Sequence, residues 1–324
     1  MDSTDRLPEN RCAVSVHGVS LAADQFLRLH SRNYQSLVRF VWFALLYAVA
    51  IAAVFAIRTT EWSSLGMILV CLPLYLVAAA SLHGISLFTH EAVHGVLANN
   101  PTLNRWGGIL CALPVLQNFS AYRVLHLDHH AHLGATGDPD HYDNYSRWTW
   151  LVFLMHWGRL IIGYPVYITM IPILGYRQAD VSERRWIAFE SGLVIVGLAA
   201  AVVWLPTGWM IHAWLIPMIL INTMVNIRGM SQHTFLEHPD DPIRGTRSIL
   251  TNPVTKFFMC NENYHLEHHL FPGVPWHNLC ELHAQIGDQL ESRQAPFVAS
   301  YFEFVCEFIR KSWLRSPLGR RSST

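Results

Sequence analysis

The sequence predicts an all-α integral membrane protein: four transmembrane helices in two hairpins, with a cytoplasmic helical cap that carries three histidine-rich motifs. Three observations predict it. Only 14% of the 324 residues are charged and 52% are hydrophobic, against roughly a quarter charged in soluble domains. Uncharged runs cover residues 40–57, 65–88 and 191–227, and the last is long enough for two crossings at about 20 residues each. The basic residues are unevenly placed: of 23 Lys and Arg, only Arg58 falls in the two short loops that follow the first and third spans. Such a bias marks the opposite side as cytoplasmic.

Along the chain, residues 1–36 form an N-terminal cytoplasmic arm without the short apolar core of a cleavable signal, the first long apolar run beginning only near residue 40. The membrane domain occupies 37–283. Its first hairpin spans about 40–57 and 65–88; its second spans about 188–206 and 209–227 and turns at Pro206-Thr207-Gly208. Between the hairpins, Leu160 to Tyr176 is uncharged for 17 residues. This segment is expected to lie in the membrane plane or to insert shallowly, because Gly163, Pro165, Pro172 and Gly175 interrupt it and Arg159 precedes it. A full crossing there would separate the later histidines from the earlier ones. Trp62, Trp204 and Trp209 sit at the far ends of the spans, where amphipathic rings favour the headgroup layer. Residues 284–324 form a C-terminal cytoplasmic extension with an amphipathic stretch over 296–315.

Three histidine clusters each follow an even number of crossings and so share one face: His90-Glu-Ala-Val-His94, His126-Leu-Asp-His129-His130 and His265-Leu-Glu-His268-His269. Residues four apart lie on one helix face and those three apart nearly so, so each cluster is expected to aim its rings at a common point. Eight imidazoles without thiolate suit iron, zinc or copper, and suffice for two metals. Of the 19 histidines, His17, His30, His156, His212, His277 and His283 read as structural or surface groups, and His83 as a hydrogen-bonded core residue, with a place beside the ligands two turns along the same helix as the alternative. Cys12, Cys71, Cys111, Cys260, Cys280 and Cys306 are scattered and form no CxxC pair, so neither a disulfide scaffold nor a thiolate zinc site is indicated. A formal net charge of zero and a pI near 7.3 suggest no nucleic-acid partner.

The motifs HEAVH, HLDHH and NYHLEHHLFPGVPW resemble the three histidine boxes of the membrane fatty acid desaturase and hydroxylase superfamily, over roughly residues 83–283. The tract Gly137-Asp138-Pro139-Asp140-His141 is similar to text in acyl-lipid desaturases and in carotenoid ketolases or hydroxylases. The resemblance implies two iron ions with dioxygen as co-substrate, held by the eight box histidines together with His233, which ends the family-like stretch Arg228-Gly-Met-Ser-Gln-His233. It also implies a lipid or acyl substrate and a separate electron donor of ferredoxin or cytochrome b5 type. The leading expectation is desaturation of a fatty acyl chain in a bacterial inner membrane; the alternative is a hydroxylase or ketolase acting on a carotenoid or other lipid.

Supporting roles are expected for Glu91, Asp128 and Glu267, each placed where a carboxylate can accept the outer N–H of a ligand imidazole and fix its tautomer. Asn261, four residues before His265, resembles an asparagine that supports a metal-bound water in some family members. Two rivals follow from the same residues. HExxH alone is also the zinc motif of metalloproteases, with the glutamate as base, but an intramembrane protease leaves both HxxHH clusters unexplained. A histidine-rich metal carrier or haem anchor predicts histidines along the spans, where only His83 and His212 lie.

Overall fold

The structure is a computed structural model describing residues 13–31, 34–141 and 144–314. The first twelve residues of the N-terminal arm, Cys12 among them, and residues 315–324 of the C-terminal extension lie outside the described residues. The described part opens on a hairpin of β1 (Ala13–Val16) and β2 (Val19–Ala22), whose turn residues His17 and Gly18 have φ of 48° and 78°. Positive φ at both turn positions matches the strand twist. With α1 (Ala23–Leu29), this arm buries Val19, Leu21 and Leu29 against Leu266, Leu270 and Leu282. It therefore braces the segment that carries the third histidine cluster.

α2 (Gln35–Arg58) and α3 (Ser64–Val93) form the first apolar hairpin. Ser63 Oγ caps α3 by accepting the Gly66 N–H at 3.1 Å. The two helices close tightly at Gly84, where an added Cβ would lie 2.4 Å from the buried Phe43 ring. α4 (Pro101–Ala112) and α5 (Phe119–Ala131) fold back beside the end of α3, each started by an asparagine. Asn100 accepts the Thr102 and Leu103 N–H groups, and Asn118 accepts that of Ala121.

α6 (Thr149–Gln178) runs through Gly163, Pro165, Pro172 and Gly175 as one helix of 30 residues, so the expected interruption does not occur. Its neighbour supplies the reason. The rung between Leu160 and Tyr164, beside Pro165, is spanned by Asn222: the Tyr164 N–H donates to Asn222 Oδ1 at 2.8 Å, and Asn222 Nδ2 donates to the Leu160 carbonyl at 2.7 Å. A side-chain amide inserted in this way satisfies backbone groups that a proline disturbs.

α7 (Val181–Trp204) and α8 (Thr207–His233) form the second hairpin, and α8 includes a π-helical turn at Met210–Leu215. Buried Glu190 of α7 accepts the Ser120 N–H at 3.0 Å and its Oγ–H at 2.6 Å, tying the hairpin to the start of α5. Among the described residues five helices, α2, α3, α6, α7 and α8, are long and apolar enough to cross a membrane. Many of their large apolar side chains face outward, including Leu45, Ile195, Val202 and Val203. That is the surface an all-α membrane protein offers to lipid.

Beyond α8, β3 (Ser248–Ile249) pairs in parallel with β4 (Phe297–Val298), while α9 (Pro253–Phe258), α10 (His265–Leu270) and α11 (Leu279–Ser292) complete the cap. α12 (Tyr301–Leu314) is amphipathic, burying Phe304 and Phe308 beside Met230 of α8 and exposing Phe302, Ile309 and Trp313.

Candidate metal centre

The ends of the apolar helices bring the histidines together. α3 delivers His90 and is followed at once by His94; α5 delivers His126, His129 and His130; α8 ends on His233; and α10 carries His265, His268 and His269. All nine expected histidines converge, but not box by box. His90, His94, His126, His130 and His268 place ligand nitrogens within 4.8 Å of one another, and so do His129, His233 and His269. His265 belongs with the second group, its Nε2 lying 3.1 Å from Nε2 of both His233 and His269.

Each HxxHH box is thus divided between two centres, which corrects the expectation that each box aims at one point. His126 and His130 serve the first group while His129 turns to the second; His265 and His269 serve the second while His268 turns to the first. Helical geometry explains the exchange. Adjacent residues point about 100° apart, so a His-His doublet faces two ways, whereas residues four apart differ by only about 40° and converge. The groups adjoin where the His130 and His269 rings stack at 4.1 Å with 7° between their planes.

The donors fit metal ions. His126 Nε2 lies 3.1 Å from Nε2 of both His94 and His130. A ring nitrogen offers one proton or one lone pair and cannot satisfy both neighbours. Two nitrogens bound at right angles to one cation at roughly 2.1 Å would sit about 3 Å apart, close to the spacing observed. His90 Nε2 and His268 Nε2 are buried without a hydrogen-bond partner among the described residues. Burial, reinforced by neighbouring imidazoles, holds His94, His126, His130, His265, His268 and His269 below the ordinary imidazole range. They are therefore neutral donors at pH 7.

Two carboxylates stand behind the rings. Glu262 pairs with Nδ1 of His90 and with the Arg228 guanidinium. Burial alone would raise the Glu262 carboxyl, but His90 and Arg228 outweigh it and hold it at about 2. Asp138 Oδ1 lies 2.8 Å from His129 Nδ1, and its carboxylate also accepts the Gly134 and Asp140 N–H groups. Burial opposes a proton on His129, yet Asp138, with the nearby Asp140 and Asp128 carboxylates, more than compensates and raises its pKa. His233 Nδ1 faces the Gly245 carbonyl at 3.1 Å. In each case the outer nitrogen is engaged and Nε2 is left to face the centre, the arrangement typical of metal-binding histidine.

The four expected supporting residues stand elsewhere. Glu91 accepts the Trp276 N–H at 3.0 Å, and Asp128 pairs with His132, which belongs to neither group. Glu267 accepts the Ser248 hydroxyl and pairs with His283, and Asn261 Nδ2 donates to the Trp276 carbonyl at 3.1 Å. The cause is geometric: Asp128 and Glu267 stand two residues after the first histidine of their boxes and so point about 160° away from it, while Glu91 points about 100° away from His90. Glu262 and Asp138 were missed because they sit in loops whose course the spacing does not give. The available signal was a carboxylate three residues before His265 and another in the polar tract after the second box.

A family model described as "Fatty acid desaturase" matches residues 66–301. The chain is 20% identical over 239 residues to the sn-1 oleoyl-lipid 12-desaturase of Arthrospira platensis, covering 63% of this chain and 65% of that relative. It is 22% identical over 260 residues to the sn-1 acyl-lipid omega-3 desaturase (ferredoxin) of Synechocystis sp., covering 70% and 68%. Against the sphingolipid delta(4)-desaturase DES1 of Pongo abelii it is 23% identical over 301 residues, covering 86% and 83%.

Proposed function

This chain belongs to the fatty acid desaturase family, and on that premise we propose that it is a membrane di-iron, O2-dependent desaturase that introduces a double bond into a fatty acyl chain of a lipid. The observation that carries this reading is the meeting of nine histidines as two adjoining groups. Two of the relatives above are named as acyl-lipid desaturases, which favours an acyl substrate over a carotenoid.

His90, His94, His126, His130 and His268 would hold one iron, and His129, His233, His265 and His269 the other. When bound, such a pair supplies reduction of dioxygen and removal of hydrogen from an unactivated methylene. The chain's own residues keep the nitrogen donors in register. Glu262, Asp138 and the Gly245 carbonyl fix the orientation of His90, His129 and His233, and burial keeps bulk water from most of the rings. In the overall reaction two C–H bonds break and one C=C bond forms. Dioxygen leaves as two waters, using those two hydrogens with two electrons and two protons from a donor. A zinc-protease reading of HEAVH is disfavoured because Glu91, the base it requires, is buried against the Trp276 backbone.

Four crossings, at α2, α3, α7 and α8, with α6 in the membrane plane, agree with the contacts at both ends of α6. Near its start Trp157 Nε1 donates to Ser312 of α12 at 2.7 Å, and near its end Gly175 lies so close to Ala121 of α5 that an added Cβ would approach it to 2.8 Å. Both partners belong to the histidine-bearing side. The distribution of Lys and Arg supports a cytoplasmic placement of that side, and the membrane in this reading is a bacterial inner membrane. The arm (1–36) and the extension (284–324) flank the membrane domain (37–283) there, and electrons arrive from a separate ferredoxin or cytochrome b5; one relative's name specifies ferredoxin.

Lipid profiling of a host expressing the chain, beside one expressing His268→Ala, tests the proposal. New unsaturated acyl chains with the native chain alone are expected. Hydroxylated lipids or oxygenated carotenoids without a new alkene would overturn it.

A further inference from the structure

We propose that α12 lies in the plane of the membrane surface, with a stripe of Phe302, Ile309 and Trp313 seated in the headgroup layer of the bilayer; the inference goes beyond the desaturase reading and stands whichever reaction the histidine groups support. At 14 residues the helix is too short to cross a bilayer, which takes about 20. It has three faces rather than two. Phe304, Phe308 and Ser312, spaced four apart, are buried against the protein. Phe302, Ile309 and Trp313 fall within about 40° of one another at 100° per residue, yet they are 77%, 49% and 60% exposed. The charged side chains keep to the remaining side: Phe308 lies about 100° to one side of Ile309 and Arg310 about 100° to the other.

What surrounds each face identifies what covers the stripe. On the charged side Glu303, Glu307 and Arg310 line a cavity of about 740 Å³ together with Glu237 and Arg244 from the segment after α8. A wall so charged belongs to water. On the buried side Phe308 packs against Trp157 of α6, their ring centroids 5.2 Å apart, and Trp157 Nε1 donates to Ser312 Oγ at 2.7 Å. α6 is one of the long apolar helices, and its exposed Leu154 and Ile161 stand about 60° and 40° from Trp157. At its start Trp148 and Trp150 stack at 5.9 Å, both rings about half exposed. Exposed indoles at the end of an apolar helix mark the headgroup level, and Trp313 adds a third. The stripe is therefore joined, through the α6 contact, to a surface that meets lipid, and it points away from the side that meets water. An amphipathic helix buries such aromatic and aliphatic residues in this layer, while the long stem of Arg310 keeps its guanidinium in water. Ser312 also lines the cavity that reaches His129 and His233, so seating α12 sets that part of its wall at the membrane surface.

The test uses the full chain carrying Cys12→Ser, Cys280→Ser and Cys306→Ser, reconstituted in phosphatidylcholine vesicles and labelled with bimane at Ile309→Cys or, one residue on, at Arg310→Cys. Lipids bearing a nitroxide about 5–10 Å below the headgroups should quench most of the emission from position 309 and little from position 310. Aqueous iodide should do the reverse. Phe302→Cys, two turns along the same stripe, should follow position 309, and it decides the orientation if the label perturbs the helix there. Iodide quenching on the stripe as strong as at 310 overturns the inference, because the stripe then stands in water. Shelter of the stripe from both quenchers also overturns it, because the cover is then protein, either a second copy or residues 315–324. Neither result touches the desaturase reading, which the lipid profile decides.

Discussion

Glu262 pairs at once with the outer nitrogen of His90 and with the guanidinium of Arg228. Three groups from α3, α8 and the loop before α10 are locked together directly behind the first histidine group. Removing such a carboxylate behind a ligand imidazole typically costs 10–100-fold in metal affinity or activity. Glu262→Ala is therefore expected to lose metal at the five-histidine group, by elemental analysis, and turnover in parallel. It also leaves Arg228 buried and unpaired, which should destabilise the fold by about 3–5 kcal/mol. Pairing it with Arg228→Met should recover stability in thermal unfolding without recovering metal.

Asp138 plays the corresponding part for His129, but its carboxylate also orders the Gly134 and Asp140 backbone. Asp138→Asn should weaken metal retention at the second group about 10–100-fold, while Asp140→Asn leaves it near the native value. Retention is read by titrating the loaded protein with chelator.

Asn222 holds α6 together at the rung beside Pro165. Asn222→Leu leaves the Tyr164 N–H and the Leu160 carbonyl without that partner, a loss of about 1–3 kcal/mol. With Pro165→Ala in place the helix can close that rung itself, so the cost of Asn222→Leu should shrink. A double-mutant cycle on unfolding in detergent measures this coupling; strict additivity would contradict the assigned role.

Gly175 permits the close approach of α6 and α5, an added Cβ lying 2.8 Å from Ala121. Because α5 carries the second histidine box, Gly175→Leu should lower stability by about 1–3 kcal/mol through overpacking and reduce activity with it. Gly192→Leu, at an open position on α7, should do neither.

Much of this architecture was legible in the sequence because membrane helices and histidine boxes obey simple periodicities. Uncharged runs marked α2, α3, α7 and α8, and spacing marked eight of the nine histidines that converge, the ninth, His233, coming from the family resemblance. The division of each HxxHH box between two centres was equally implicit, since 100° per residue sends a doublet in two directions, although four-residue spacing drew attention to convergence alone. What the sequence did not disclose depended on tertiary contact. Pro165 reads as a break until Asn222, far along the chain, mends it. Glu262 and Asp138 are reached through loops, and Glu91, inside a box, is turned to the Trp276 backbone instead.

The most direct test is elemental analysis with Mössbauer spectroscopy on the full chain purified from an iron-replete host. Two groups of histidines adjoining through His130 and His269 predict about two irons per chain in a coupled pair, with His130→Ala and His269→Ala each lowering the count. A single zinc per chain, or iron content unmoved by either substitution, would contradict the account.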